Sequence, residues 1–533
     1  GTGIQTTSPS GDPGAGPGVR IRGTSSLESS GPPLYIVDGV EFTGSFSDLN
    51  PHDIESITVL KDAVNRTMYG RKGLNGVVMI NTRTGAGRSH AFDFSMQMGT
   101  ATNGVPAYNT VSPAEYYELH WQAYRNNLVY SSPGPLPVEI ASQIASGLLP
   151  RGLNGLQIYN DRYYQDIVQL LGGYNAFNVP DNELIGSDGK LNPRAVLQHP
   201  GELNWMDAIS RTGKRNEYNM AYSTGIRKLD VLTSLNYLRE EGWSNWSALE
   251  RYTGRLNLNY QATRWFKSGL RVAATRSGND HVSSDSDYLN PFYFAREIGA
   301  IYPVHFIDPK TGEVVYDSEG KKVYDVRGLP DSDYPYNRPF VSNYHAVFDN
   351  DRISDHTIRK LYSGRVFMNF ILLPWLTLDL TGGGEKSESK RERKTNGSQG
   401  NWRESWYKNN HSSYTINQVL TIYKHIGNGE LNFVVGHENF MLSTKDSSET
   451  YTRNSLDSLG LNPLMYSKYK ENQESYFMKA RAGLFHRYFL DWAYRKDQHQ
   501  HYGNLQSWSV GGSLRLGQVD FSQAAWKAHV YAT

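Results

Sequence analysis

Hydrophobic positions change their spacing once along this 533-residue chain, near residue 87. Downstream, apolar and polar residues alternate with a period of two in segment after segment, which predicts β-strands with two unlike faces. Residues 91–99 (AFDFSMQMG) place Phe92, Phe94, Met96 and Met98 on one side. In 255–261, Leu256, Leu258 and Tyr260 alternate with Arg255, Asn257, Asn259 and Gln261. In 376–381, Leu376, Leu378 and Leu380 alternate with Thr377, Asp379 and Thr381. Weaker versions recur at 231–238, 267–275, 365–371, 418–424, 431–435, 478–485 and 510–516. Counted to the end, the pattern predicts roughly 13 strands, the last near 526–531.

Connection lengths sharpen this. Short turns are expected at 225–229, 262–265, 373–375, 427–430 and 486–488, and long loops near 100–214, 277–355, 386–412 and 444–474. A soluble sandwich shows the same alternation, but it has no reason to put short turns on one side and long loops on the other. Membrane-spanning barrels are built that way. The expected fold is mostly β: a transmembrane antiparallel barrel over 88–533, preceded by a small α/β module over 1–87.

In that module, residues 1–18 (GTGIQTTSPSGDPGAGPG) read as loop. Strand candidates follow at 19–21, 34–37 and 76–82. Between the last two, Ile54, Ile57, Leu60 and Val64 stand three and four apart and predict an amphipathic turn of helix.

Composition removes several alternatives. No run of about 18 apolar residues exists to form a membrane helix, whereas a barrel strand of about 10 alternating residues is compatible with a mean hydropathy of −0.58. The absence of cysteine excludes disulfides and thiolate metal sites, and a net charge of +1 gives no case for nucleic acid. DPKTG (308–312) and DSEG (317–320) read as β-turns of a hairpin rather than calcium loops. His499 and His501 lack a third ligand and are expected in solvent near an outward loop, and residues 382–384 are expected to bend a strand as it leaves the membrane. No nucleophile–base pair and no paired carboxylates stand out. Neither an enzyme, a metal nor a cofactor is expected.

Four blocks within the first module carry a resemblance: RIRG (20–23), LYIVDG (34–39), NPHDIESITVLKD (50–62) and YGRKGLNGVVMI (69–80). Their order and spacing resemble the plug domain of TonB-dependent outer-membrane transporters, and more narrowly the SusC/RagA family of the Bacteroidota. The resemblance implies a barrel of about 22 strands with a plugged lumen, so the chain is expected to be incomplete at both ends. It also implies a location in the lipid of the bacterial outer membrane and contact with TonB through a segment preceding this chain. A SusD-like surface lipoprotein is the implied partner, and an oligosaccharide or oligopeptide the implied cargo. A SusC-like barrel serving as scaffold of an assembly or secretion complex, and a soluble β-rich binding protein, are the other readings.

The plug-motif residues are Arg20, Arg22, Gly23, Asp38, Gly39, Asp53, Glu55, Lys61, Asp62, Tyr69, Gly70 and Gly76, in a structural or a gating role. Residues 65–68 (NRTM) depart from the small residues relatives carry there, and Arg71–Lys72 is a basic pair where relatives often have Ser-Arg. In the loops, Trp243, Trp246, Tyr288, Tyr293, Tyr334, Tyr336, Trp402, Trp406 and Tyr407 are candidate contacts to substrate or partner, though aromatic rings also build loop cores. Trp265 and Trp375, at short turns, suit the membrane interface.

Overall fold

Short strands joined by tight turns build the amino-terminal part. β1 (Ile4–Thr7) pairs with β2 (Gly18–Ile21). β3 (Leu34–Val37) and β4 (Val40–Phe42) form a hairpin whose two turn residues, Asp38 and Gly39, have φ of 50° and 84°. Positive φ at both positions is what a tight type I′ turn requires. With β5 (Ile54–Leu60) and β6 (Val77–Thr82) they make a four-stranded sheet in the order β4-β3-β6-β5, in which β3 and β6 run parallel. Ile21, Phe42, Leu49, Val78 and Ile80 form its buried core.

The computed structural model describes residues 4–7, 11–16, 18–21, 31–60, 66–85, 90–104, 110–131, 135–152, 155–282, 290–308, 310–326, 338–339, 344–396, 402–453, 459–485, 487–515 and 527–532. One expectation fails within them. The segment holding Ile54, Ile57 and Leu60 is strand β5, not a helical turn, and Val64 lies outside the described residues. β5 pairs with β6 through a register shift between Ile54 and Ser56. Such a bulge breaks the period of two and produces the helix-like spacing.

The remainder is dominated by one antiparallel sheet of 13 strands. It begins with β7 (Ala91–Ala101). A small hairpin, β8 (Gln157–Tyr159) and β9 (Arg162–Tyr164), lies in the connection that follows. The sheet then continues through β10 (Gly213–Ile226), β11 (Leu229–Glu241), β12 (Ala248–Gln261), β13 (Phe266–Asp280), β14 (Ile353–Leu373) and β15 (Leu376–Asn396). It ends with β16 (Trp402–Ile426), β17 (Gly429–Arg453), β18 (Leu459–Leu484), β19 (Tyr488–His499), β20 (Gly503–Arg515) and β21 (Lys527–Ala532). Each strand pairs with its neighbour in sequence apart from the step from β7 to β10, and the expected short turns all appear.

Side chains on this sheet sort inside out relative to a soluble protein. Along β12, Arg251, Thr253, Arg255, Asn257 and Asn259 are buried while Tyr252, Leu256 and Tyr260 are exposed. On β7, Phe92, Phe94, Met96 and Met98 all face outward. Polar side chains inside and apolar ones outside is the arrangement lipid selects and water opposes. Trp265 and Trp375, both exposed at the short-turn end, fit an interfacial girdle.

Two predicted loops are strands instead. Residues 386–412 and 444–474 belong largely to β15–β18, which run 21, 25, 25 and 26 residues. Crossing lipid takes only about 9–11 residues, so these strands continue far into water. There both faces can be polar and the alternation that marks a lipid-facing strand disappears. Lys394 on β15 pairs instead with Glu404 on β16 at 3.0 Å. The other two long connections are real, and they fold together into a cap. Ile301 and Tyr302 of the second pack into a core with Tyr117, Trp121, Ile167 and Leu184 of the first.

Because Leu256 faces outward about halfway along the membrane-crossing part of β12, Leu256→Arg should destabilise the vesicle-embedded barrel by about 2–4 kcal/mol. Equilibrium urea unfolding in vesicles measures this, and a change under about 0.5 kcal/mol would place Leu256 away from lipid.

Candidate functional site

The site is the seam between the small sheet and the inner wall of the large one. Two short 3₁₀ turns between β4 and β5, Phe46–Asp48 and Pro51–Asp53, position the key carboxylates. Asp48 is fixed by the Ser45 amide, which donates to its Oδ2 at 2.9 Å. Pro51 opens the second turn, where its missing N–H costs nothing, and Asn50 caps that turn by accepting from the His52 amide at 3.1 Å.

Both turns end with a buried aspartate aimed at β10–β14. Asp53 accepts from Ser234 Oγ on β11 at 2.6 Å and lies 3.3 Å from Arg255 Nε on β12. Arg255 also reaches Asp38, Nη1 to Oδ2 3.4 Å, while Asp38 accepts from Thr82 N at 2.9 Å and Thr82 Oγ1 at 2.7 Å. Asp48 accepts from Ser277 Oγ on β13 and from Arg359 Nη1 on β14, each at 3.1 Å. Arg251 Nη1 donates to the carbonyls of Ser47 and Leu49 at 2.8 and 2.9 Å, and Asn50 donates to Asn219 on β10 at 3.1 Å. Removing one partner of such a buried pair leaves an uncompensated charge, a loss of about 3–5 kcal/mol.

A second seat lies on the far side. Thr67 Oγ1 is 3.0 Å from Ser509 Oγ on β20, and Arg495 of β19 donates to the Met68 carbonyl. Gly70, with φ of 55°, approaches so closely that a Cβ there would lie 2.4 Å from Asp497 Oδ2. Lys72 pairs with Glu41 at 2.8 Å and stands 3.0 Å over the Phe440 ring on β17, and Thr43 hydrogen-bonds Glu385 on β15. Contacts therefore run from β10 to β20, and the large sheet wraps around the small one.

Of the plug-motif residues, Asp38, Gly39, Asp53 and Gly70 come to this seam. Tyr69 turns inward to Met79 Sδ at 3.8 Å, and Gly76, with φ of 95°, leaves room for Ile21, whose Cδ1 would be 2.6 Å from a Cβ. Arg20 and Glu55 are exposed, and Arg22, Gly23, Lys61 and Asp62 lie outside the described residues. Sequence reasoning missed Asp48, Thr82, Arg251, Arg359 and Arg495. For Arg251 the signal was available, since it continues the polar face of β12 that Arg255 and Asn257 mark.

The aromatic candidates mostly pack or hydrogen-bond within the protein. Trp243 stacks against Phe292 with centroids 4.8 Å apart, Trp246 Nε1 donates to Asp351 at 2.9 Å, and Tyr293 is half-buried on the helix Pro291–Glu297. Trp402, Trp406 and Tyr407 stand on strand β16 rather than in a loop. Trp406 donates to Glu449 at 3.1 Å and Tyr407 to Asp446 at 3.0 Å. Tyr288, Tyr334 and Tyr336 lie outside the described residues.

Two further readings change. His499 is buried, not solvated, with Nε2 2.8 Å from Glu471 Oε1. Residues 382–384 do not bend β15, which pairs through them without a break. Instead Gly383 admits Val40, whose Cγ2 would be 2.4 Å from a Cβ. Asp308 and Asp317 do open turns, accepting from the amides of Lys310 and Glu319 at 2.8 and 2.9 Å.

Residues 2–77 match the TonB-dependent Receptor Plug Domain. The TonB-dependent receptor SusC of Bacteroides thetaiotaomicron is 23% identical over 539 residues, covering 97% of this chain and 46% of SusC. A TonB-dependent receptor of Formosa agariphila is 29% identical over 273 residues, covering 51% of this chain and 22% of that protein. The structure of the RagAB peptide importer in the 'open-open' state superimposes with a TM-score of 0.69 at 18% identity, covering 99% of this chain and 55% of that one. The plug-domain match and the likeness to SusC along nearly the whole chain support a TonB-dependent transporter of the SusC/RagA kind. The chain's small sheet is the plug of a TonB-dependent receptor, and its large sheet the barrel wall. The chain spans less than half the length of the curated relatives it matches.

A double-mutant cycle on Asp53→Asn and Arg255→Gln should give a coupling of about 1–3 kcal/mol, read from hydrogen exchange at Val77–Thr82, and additive effects would mean the two act independently. In the cap, wholly buried His345 places Nε2 2.8 Å from the Val304 carbonyl while Nδ1 accepts from Phe348 N at 3.1 Å. Burial, reinforced by the Arg338 charge, pushes its pKa down from 6.5 to about 3. Unfolded, His345 takes a proton as pH falls through 6.5, whereas folded it stays neutral until about 3. Cap stability is therefore full above pH 6.5 and lost progressively on the way down to about 3. Protection of the Ala346–Asp351 amides, corrected for intrinsic exchange, should be lower at pH 4 than at pH 7; equal protection would contradict this.

Proposed function

We propose that this chain forms the plug (residues 1–87) and part of the barrel (residues 88–533) of a bacterial outer-membrane importer. It takes up an oligosaccharide or oligopeptide with energy delivered through TonB, together with a SusD-like surface lipoprotein. The observation that carries this reading is the seating of the plug. Around the wall it is held chiefly by hydrogen bonds and ion pairs, such as Asp53–Ser234, Asp48–Arg359 and Thr43–Glu385. Polar contacts of this kind exchange for water at a net cost of about 0.5–1.5 kcal/mol each, so a pulled plug can leave its seat stepwise. An apolar seal would resist as a whole.

Import also requires that cargo favour one plug state over another, since a ligand bound equally by both shifts nothing. The likeness to the RagAB peptide importer favours the peptide class, and the oligosaccharide class rests on the plug-motif resemblance alone. The TM-score of 0.69 carries the fold, and the peptide belongs to RagAB alone.

The test uses the full-length protein in its native outer membrane. Mild-detergent capture should bring down one SusD-like lipoprotein, and cells should take up labelled oligosaccharide or oligopeptide only while TonB is intact. Stoichiometric assembly or secretion subunits, with uptake indifferent to TonB, would overturn the proposal in favour of a scaffold.

A further inference from the structure

The two sides of the plug are not held alike. Towards β10–β14 the seam is filled by interlocked side chains, whereas towards β14–β18 it opens into a cavity of about 300 Å³. β3 and the residues around Tyr69 form one side of this gap, and apolar rings on the wall, Phe440 and Phe477, form part of the other.

Four charged side chains line the gap: Glu41, Lys72, Arg365 and Glu438. Three already have partners, since Lys72 holds Glu41 at 2.8 Å and Arg495 holds Glu438 at 2.7 Å. Arg365, on β14, forms no ion pair among the described residues, and its Nε is buried without a hydrogen-bond partner. The acidic groups near it are engaged elsewhere. Asp38 is held by Thr82 and Arg255, and Asp379 accepts from Asn369 Nδ2 at 2.6 Å. Nearby Arg271 spends its donors on the carbonyls of Leu258 and Leu270 and on Asn259. The guanidinium of Arg365 lies beside Gly39, where a Cβ would sit 3.4 Å from its Cζ, and 5.1 Å from the Phe367 ring. The Asp38–Gly39 turn thus leaves room for an arginine whose Nε has no hydrogen-bond partner among the described residues.

We propose that Arg365 is the recognition point for a carboxylate on a ligand entering the gap between plug and wall. A guanidinium binds a carboxylate through two parallel hydrogen bonds, a geometry lysine does not reproduce. Lys72 and Glu41 hold each other and Arg495 holds Glu438, so Arg365 is the lining charge left without an ion-pair partner among the described residues. The apolar rings keep the local dielectric low, which strengthens a pair formed there. A peptide C-terminus and a uronic acid share this chemistry. The idea rests on the importer reading only for how the ligand arrives. Binding is measured on resting protein without TonB, so failure of uptake and failure of carboxylate recognition are separate results.

Calorimetric titration of the full-length protein in detergent with trialanine against its C-terminal amide, and with digalacturonate against its methyl ester, tests this. One free acid should bind at least about tenfold more tightly than its masked form, which is about 1.4 kcal/mol, and the pair that does so identifies the source. Arg365→Gln should abolish the preference and Arg365→Lys retain part of it. Phenylglyoxal labelling of the unmodified protein, read by mass spectrometry, is independent of how the variants fold: the free acid should protect Arg365 and the masked form should not. Equal binding within both pairs, a preference that survives in Arg365→Gln, or labelling of Arg365 indifferent to the acid would each overturn the proposal.

Discussion

Backbone amides inside a bilayer have no water to bond, so every one of them must find a partner within the protein. A continuous antiparallel sheet meets that demand, and most of the rest of this molecule follows from it. Once the strands are paired, their side chains have two destinations. Leu256 and Tyr260 go to lipid, leaving Arg255, Asn257 and Asn259 to line the inside. A polar interior cannot hold a second domain by apolar burial alone. The plug accordingly keeps a small core of its own, Val78 and Ile80 among it, and meets the wall through Asp38, Asp48 and Asp53. One wall side chain, Leu361 on β14, joins that core.

Much of this was legible in the sequence wherever one physical rule acted alone. Lipid on one face and a polar lumen on the other produce clean alternation in 255–261, where the pattern alone marks the strand. Asp38–Gly39 suits the tight turn it makes because few other residue pairs tolerate two positive φ values in succession. Readings failed where two rules competed. In β5 a bulge imitated helical spacing, and in the upper parts of β15–β18 water on both faces erased the alternation. Asp48 was invisible for another reason. Its importance comes from Ser277 and Arg359, more than two hundred residues away in sequence, and no local pattern reports such a meeting.

The seam also explains how charge can be concentrated in a lumen without disrupting it. Arg495 is buried yet satisfied, with Glu438 and Asp497 each at 2.7 Å and the Met68 carbonyl as a further acceptor. Arg255 is shared between two aspartates from different turns of the plug. Such shared donors make geometry specific more than they add stability, because charges brought out of water recover little beyond their desolvation. The plug is thereby given one orientation rather than a particularly deep energy well.

The cap carries a mechanical consequence. Its two connections, 102–212 and 281–352, are far apart in sequence yet share two buried clusters, one around Tyr302 and one around Trp205, linked where Trp205 donates to the Tyr302 carbonyl at 2.8 Å; Tyr174 donates to Asp325 at 2.7 Å. They are tied to the wall at four points, the ends of β7, β10, β13 and β14. A body built from both connections at once takes its orientation from all four of those strand ends, so neither connection is free to shift as a separate loop.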